Sequence, residues 1–403
     1  MTLVSVLPFA KKSSLRASIL AAMVGRRLVN GELTLSLPDG EILRFTGSLP
    51  GPQAVLRLHS ARALRRLLMD GEIGLAEAYM DGDWDSPDLV ALLELGDLNT
   101  PALGDTTRGK WMARMLQRYR HWRNDNSRRG SRRNVASHYD LGNAFYAQWL
   151  DPGMTYSAGL FCGDAADLES AQQEKYRAIL QALQVEPGQR LLEIGCGWGG
   201  FAEMAARDYG AQVVGLTLSL EQKAWADARM ARAGLSDRVE IRLQDYRDVQ
   251  GRYDRIVSIE MIEAVGERWW PTYFATLKRC LAEGGRALLQ AITIEDDRFA
   301  SYRRGCDFIQ RHVFPGGMLP SPGVMTNMAH KSGLKATTLR CFGADYERTL
   351  AIWAEAFHER WDLIAPLGFD LEFKRLWDFY LAYCRAGFRT GAIDVSHVAL
   401  DHR

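Results

Sequence analysis

The chain has 403 residues, 47% of them hydrophobic and 25% charged, with a formal net charge of +1. That length allows two or three domains with a real core, and the near-neutral balance excludes a molecule whose whole surface attracts nucleic acid or membrane. Six scattered cysteines form no CxxC pair and no zinc-ligand spacing with the eight histidines, so they read as reduced thiols rather than a disulfide scaffold or a metal site.

Near the start, Lys11, Lys12 and Arg16 precede an apolar run over residues 17–24. The run is far below the ~20 residues needed to span a bilayer, and no cleavage site follows it. It is expected to be an amphipathic helix. No other segment has the length and apolarity of a membrane span, so the protein is expected to be soluble or peripheral. Residues 33–37 and 41–45 alternate apolar and polar around Pro38-Asp39-Gly40, the pattern of a β-hairpin. Helical patterns follow over 60–69 and 88–95. Residues 1–105 read as a small α+β domain.

Residues 106–133 differ sharply. Ten arginines and lysines, Arg114 and Arg118 among them, face almost no acid there, and Trp111, Met115, Tyr119 and Trp122 recur at helical spacing. This is a basic amphipathic linker helix with an aromatic face. It suits an anionic lipid surface, with Trp111, Arg114, Arg118 and Trp122 as the contacts. A helix packed on the protein with solvated arginines fits equally, whereas no nucleic-acid motif accompanies the stretch.

Residues 134–403 change to alternating strands and helices. Strands are predicted over 190–194, 212–216, 239–243, 255–259 and 287–291, with helices over 201–208 and 220–233. Such alternation predicts a parallel sheet with helices on both faces. The first strand leads through Glu193-Ile194-Gly195-Cys196-Gly197-Trp198-Gly199-Gly200 into a helix. Gly195 and Gly197 allow a tight turn in which ligand touches backbone. Glu193 would repel a pyrophosphate but suits the amino group of a methionine moiety. The next strand ends at Gly215-Leu216-Thr217-Leu218-Ser219, without the acid that an NAD ribose needs. Thr217 and Gln222 remain as hydrogen-bonding partners for a ribose or an amino-acid end. The turn therefore predicts S-adenosylmethionine rather than a nicotinamide cofactor.

The ordered motifs 76–84 (Ala-Glu-Ala-Tyr-Met-Asp-Gly-Asp-Trp), 138–143 (His-Tyr-Asp-Leu-Gly-Asn), Met154-Thr155-Tyr156-Ser157, the glycine turn, Asp245-Tyr246-Arg247-Asp248, Phe314-Pro315-Gly316-Gly317 and Gly343-Ala344-Asp345-Tyr346 make a wider pattern. Over residues 54–390 the chain resembles the cyclopropane-fatty-acyl-phospholipid synthase family, which is related to the mycolic acid cyclopropane synthases. The resemblance implies a Rossmann-like class I methyltransferase domain behind a smaller lipid-binding α+β domain. It also implies a cytoplasmic enzyme, peripheral on the inner face of the membrane, commonly a homodimer, acting on an unsaturated acyl chain of phospholipid. Tyr156, Ser157, Gly195, Thr217, Gln222, Asp245 and Tyr246 would contact the cofactor.

In that family the base is a bound bicarbonate held by a cysteine, a glutamate, a histidine and a tyrosine. Glu263 and Tyr346 match two of the four. Ala158 stands at the cysteine position, Gln290 at the histidine position, and Ala264 replaces the histidine that usually follows the glutamate. An anion there would have fewer partners, each worth roughly 1.5–3 kcal/mol. The expectation is a C-methyltransferase that leaves a methyl-branched, unsaturated chain. A cyclopropane synthase with a remodelled base site is the alternative. Cys384 matches a family cysteine sometimes assigned to catalysis, although the chemistry needs no thiolate.

Overall fold

The structure, a computed structural model, describes residues 4–5, 27–103, 126–127, 130, 141–162 and 167–403. Most of the basic stretch, with Trp111, Arg114, Arg118 and Trp122, lies outside them. So do His138, Tyr139 and Asp140, and the N-terminal apolar run.

The chain divides into two compact units. The first comprises residues 1–120, 305–308 and 369–392. Its sheet uses β1 (Val4–Ser5), β2 (Asn30–Ser36), β3 (Ile42–Thr46), β4 (Leu49–Leu58) and β5 (Trp84–Asp85) in the order β1-β3-β2-β4-β5. The expected hairpin is β2–β3, paired antiparallel with Leu35 opposite Leu43. Its turn closes where Gly40 takes a φ of 86°, a conformation open to glycine. Helix Arg62–Met80 runs past the predicted end at residue 69, because Gly71 (φ 66°, ψ −142°) kinks it and a second helical stretch follows. The 76–84 motif ends there. Trp84 is fully buried and its indole N–H donates to the Leu75 carbonyl at 2.8 Å. A late segment completes this unit: helix Leu371–Thr390 buries Trp377, Phe379, Tyr380 and Leu381, and the Arg375 guanidinium lies 3.9 Å from the Tyr79 ring centre. A division of the sequence into consecutive blocks does not contain this return.

The second unit comprises residues 121–304, 309–368 and 393–403. It is built on β6 (Arg190–Ile194), β7 (Gln212–Thr217), β8 (Val239–Leu243), β9 (Tyr253–Ile259), β10 (Leu281–Ile294), β11 (Leu334–Cys341) and β12 (Ile393–His402). The order is β11-β12-β10-β9-β6-β7-β8. The parallel sheet expected for five strands is present, and a strand outside those five departs from it. β6 to β10 are parallel as predicted, but β12 inserts antiparallel between β10 and β11. It follows helix Leu371–Thr390 and pairs with β10 from Arg286 to Ile294. Successive side chains serve opposite faces, as the period of two requires. Leu192, Ile256 and Leu289 join one core; Leu191, Val257 and Leu288 join the other, under helices Leu168–Leu183, Gly200–Tyr209 and Leu220–Ala233. Both faces of the sheet are thus covered. Polar side chains along the carboxyl ends of β6, β7, β9 and β10 are the ones left to form a site.

Candidate active site

A pocket opens at the carboxyl ends of β6, β7, β8 and β9. Its floor is the glycine turn, with Gly195 at φ 87° and Gly197 at φ 52°. A Cβ on Gly195 would stand 3.0 Å from Met261 as well as in a strained conformation, so glycine is required twice over. Glu193 lies at the end of β6, 3% exposed, and its Oε2 has no hydrogen-bond partner. Burial raises its carboxyl well above the ordinary range, against the charges of Lys175 and Arg229. An orphaned, buried carboxylate facing the pocket fits the ammonium end of S-adenosylmethionine.

The opposite wall comes from residues 151–157. The Asp151 carboxylate accepts the backbone N–H of Gly153 at 2.7 Å and of Thr155 at 3.0 Å, fixing a turn in which Met154 has φ 55°. Tyr156 and Ser157 then line the pocket. Fully buried Lys175 donates to Ser157 Oγ and Gln172 Oε1, each at 2.6 Å. Desolvation pulls its ammonium down to about 7, opposed by the charges of Glu260, Asp151 and Glu193. Tyr156 belongs to a cluster of rings, 5.4 Å from Tyr146, 5.5 Å from Trp149 and 5.3 Å from Trp353 between centres. Asn143, in the described part of the 138–143 motif, accepts the Trp198 indole N–H at 2.7 Å and so anchors the turn.

The expected cofactor residues Tyr156, Ser157, Glu193, Gly195, Gly197, Thr217, Gln222, Asp245 and Tyr246 all line this one pocket. Besides Ser157, three are already engaged. Thr217 Oγ1 donates to Gln222 Oε1 at 2.8 Å, leaving the Gln222 NH2 as a donor. Asp245 takes the Arg247 guanidinium at 2.6 and 2.8 Å in a buried pair. Asp245 thus braces the wall, and its neighbour Tyr246 presents a ring to the pocket.

The base region departs from the expectation. Tyr346 and Gln290 do converge on a glutamate, but it is Glu260 and not Glu263. The Tyr346 hydroxyl donates to Glu260 Oε2 at 2.6 Å. The Gln290 amide donates to Oε1 at 2.7 Å, and the Ala158 backbone N–H to the same oxygen at 2.9 Å. Glu260 lines the pocket; Glu263 does not. Burial raises the Glu260 carboxyl, against those three hydrogen bonds and the charge of Lys175. The physical reason is local. Glu260 follows the last residue of β9 with φ 48°, which turns its side chain across the strand ends. Glu263 instead accepts the Ile292 N–H at 2.5 Å, its other oxygen is buried without a partner, and desolvation and then Glu260 push it up to about 8. The sequence carried a signal for Glu260: an acid directly after a central strand of an α/β sheet is where ligands bind.

Cys384 sits on helix Leu371–Thr390 of the first unit and is not among the residues lining the pocket. Among the described residues there is no cluster fit to hold a metal ion.

Residues 126–398 match the family model described as mycolic acid cyclopropane synthetase. The chain is 39% identical over 401 residues to the tuberculostearic acid methyltransferase UfaA1 of Mycobacterium tuberculosis, covering 97% of this chain and 93% of that protein. It is 36% identical over 364 residues to the cyclopropane-fatty-acyl-phospholipid synthase of Escherichia coli, covering 88% and 89%. Among solved structures, the mycolic acid cyclopropane synthase CmaA1 complexed with SAH and CTAB superposes with a TM-score of 0.63 at 31% identity, covering 67% of this chain and 97% of that one.

Proposed function

The chain belongs to the mycolic acid cyclopropane synthetase family and is an S-adenosylmethionine-dependent methyltransferase of unsaturated fatty acyl chains, and we propose that it acts on membrane phospholipid and releases a methyl-branched product that keeps a double bond. One observation carries the proposal: Glu260 receives hydrogen bonds from Tyr346 and from the two positions, 158 and 290, where the family resemblance places a cysteine and a histidine around a bicarbonate. The Ala158 N–H, Gln290 and the Tyr346 hydroxyl all point at its carboxylate. With those three donors taken up by Glu260, the base is a side chain rather than a mobile anion.

S-adenosylmethionine, when bound against Glu193, Gln222 and the glycine turn, supplies an activated methyl group. The alkene is a weak nucleophile, so the protein's part is to align it in a dry slot. The π electrons of the alkene would form the new carbon–carbon bond to that methyl group as its bond to sulfur breaks and leaves the electron pair on sulfur, and a cation would remain on the adjacent chain carbon. The rings of Tyr156 and its aromatic neighbours present negative faces that stabilise such a charge. The carboxylate of Glu260 takes a proton from a carbon beside the cation, and the C–H electron pair becomes a new double bond. Tyr346 and Gln290 keep that carboxylate aimed while it is ionised. A relative named as a methyltransferase of tuberculostearic acid supports an outcome without ring closure.

The ring and branched products are isomers of equal mass, so the test is chemical. Phospholipid from a host expressing the chain is hydrogenated under mild conditions and its proton spectrum recorded. The expected product takes up hydrogen and shows no cyclopropyl protons. Cyclopropyl protons in an acyl chain inert to hydrogenation would return the protein to the cyclopropane synthases.

A further inference from the structure

Beyond the pocket wall stands a buried histidine that the chemistry above does not use. β12 runs antiparallel to β10, and His397 lies directly opposite Gln290. Both are buried, at 2% and 1% exposure. His397 Nε2 is 2.9 Å from Gln290 Oε1, while Gln290 Nε2 is 2.7 Å from Glu260. We propose that His397 is a positioning residue: it fixes the Gln290 amide so that its NH2, and never its oxygen, faces the Glu260 carboxylate. The inference rests on the reading of Glu260 as the base.

The hydrogen bonds dictate the direction. An ionised carboxylate only accepts, so the amide nitrogen must face Glu260 and the amide oxygen must face His397. Two acceptors cannot meet, so His397 carries its hydrogen on Nε2. Burial, with the charges of Arg340 and Lys175, pulls the imidazole down to about 3, so the ring is neutral and holds that single hydrogen. The Phe342 ring lies edge-on to it, 4.8 Å between centres. Remove the donor and the amide is free to rotate by half a turn. Its oxygen would then face Glu260, which would lose one of its three donors and meet a repelling dipole. The family resemblance puts a histidine at position 290. In this chain an imidazole stands one strand further back and acts through an amide, and that leaves the position beside Ala158 to a protein carboxylate.

The test uses the full chain with vesicles of unsaturated phospholipid and S-adenosylmethionine. His397→Leu and His397→Phe both remove the donor. Either is expected to lower kcat by about 10- to 100-fold, the weight of one hydrogen bond to a charged group, with the KM for lipid and the affinity for S-adenosylmethionine unchanged. Retained cofactor affinity also certifies the fold. His397→Gln offers an N–H at the same reach and is expected to restore most of the rate. In a Gln290→Leu background, His397→Leu is expected to add no further loss. A wild-type kcat in the Leu and Phe variants, a Gln variant as slow as Leu, or multiplying losses in the double variant would each overturn the proposal. Glu260→Gln is measured alongside. If it turns over at full rate, the reading of Glu260 falls and this inference with it. If it is inactive while His397→Leu is fully active, only the inference falls.

Discussion

Glu260 and Glu263 stand three residues apart after β9, and their surroundings divide their roles. Glu260 meets three donors and the Lys175 charge; Glu263 meets one donor and the charge of Glu260. A base must be ionised to work. With the Glu260 carboxyl raised, the rate is expected to fall, as pH falls, already above the ordinary carboxylate range. The other titratable groups facing it are Lys175, Glu263 and Tyr346, and a pH–rate profile of kcat checks the limb. Glu263 reports on stability instead. Its folded value of about 8 exceeds its unfolded one near 4.5, so the native state holds a proton that the unfolded chain releases. Stability therefore declines as pH rises across that window, and Glu263→Gln is expected to flatten the decline in melting temperature against pH. Glu193→Gln removes the carboxyl group that would meet the cofactor's ammonium end. It is expected to weaken S-adenosylmethionine binding by roughly 10- to 100-fold, read by calorimetry.

At the scale of elements, the site depends on how helices begin and strands end. Helix Leu220–Ala233 starts at Ser219, whose hydroxyl accepts the Gln222 N–H at 3.2 Å, and it stops where Gly234 takes a φ of 67°. The cap sets the position of Gln222 against Thr217. Ser219→Ala is expected to cost about 1 kcal/mol in denaturant unfolding, with a parallel loss of cofactor affinity. The helix over 220–233, the glycine turn and β6 to β8 were all legible, because each is decided within a few residues by side-chain period or the sign of φ. Glu260 was not. Its partners come from residues 158, 290 and 346, and no local pattern records which of two nearby acids will meet them. Tyr346 and Gln290 were legible as a pair only through the family resemblance, which also pointed to Glu263.

For the whole molecule, the proposal that Glu260 is the base implies a reaction independent of an added anion. Turnover in carbonate-free buffer is expected to equal that in bicarbonate, and a strong stimulation by bicarbonate would contradict Glu260 as the base. The basic stretch over 106–133 bears on where the substrate is met. If it docks on anionic lipid, vesicles rich in anionic phospholipid should co-sediment the protein at low salt and release it as ionic strength rises. No described helix is long and apolar enough to cross a membrane. The sequence by itself determined the cofactor and the sheet's parallel strands, since these rest on residue type and short-range pattern, whereas the altered positions at Ala158 and Gln290 had meaning only through the family resemblance. The tertiary structure decided the rest: that β12 enters antiparallel, that helix Leu371–Thr390 returns to the first unit, and that Glu260 rather than Glu263 receives the donors. Each of these is set by contacts between residues far apart in the chain, whose energy exists only once the sheet has brought them together.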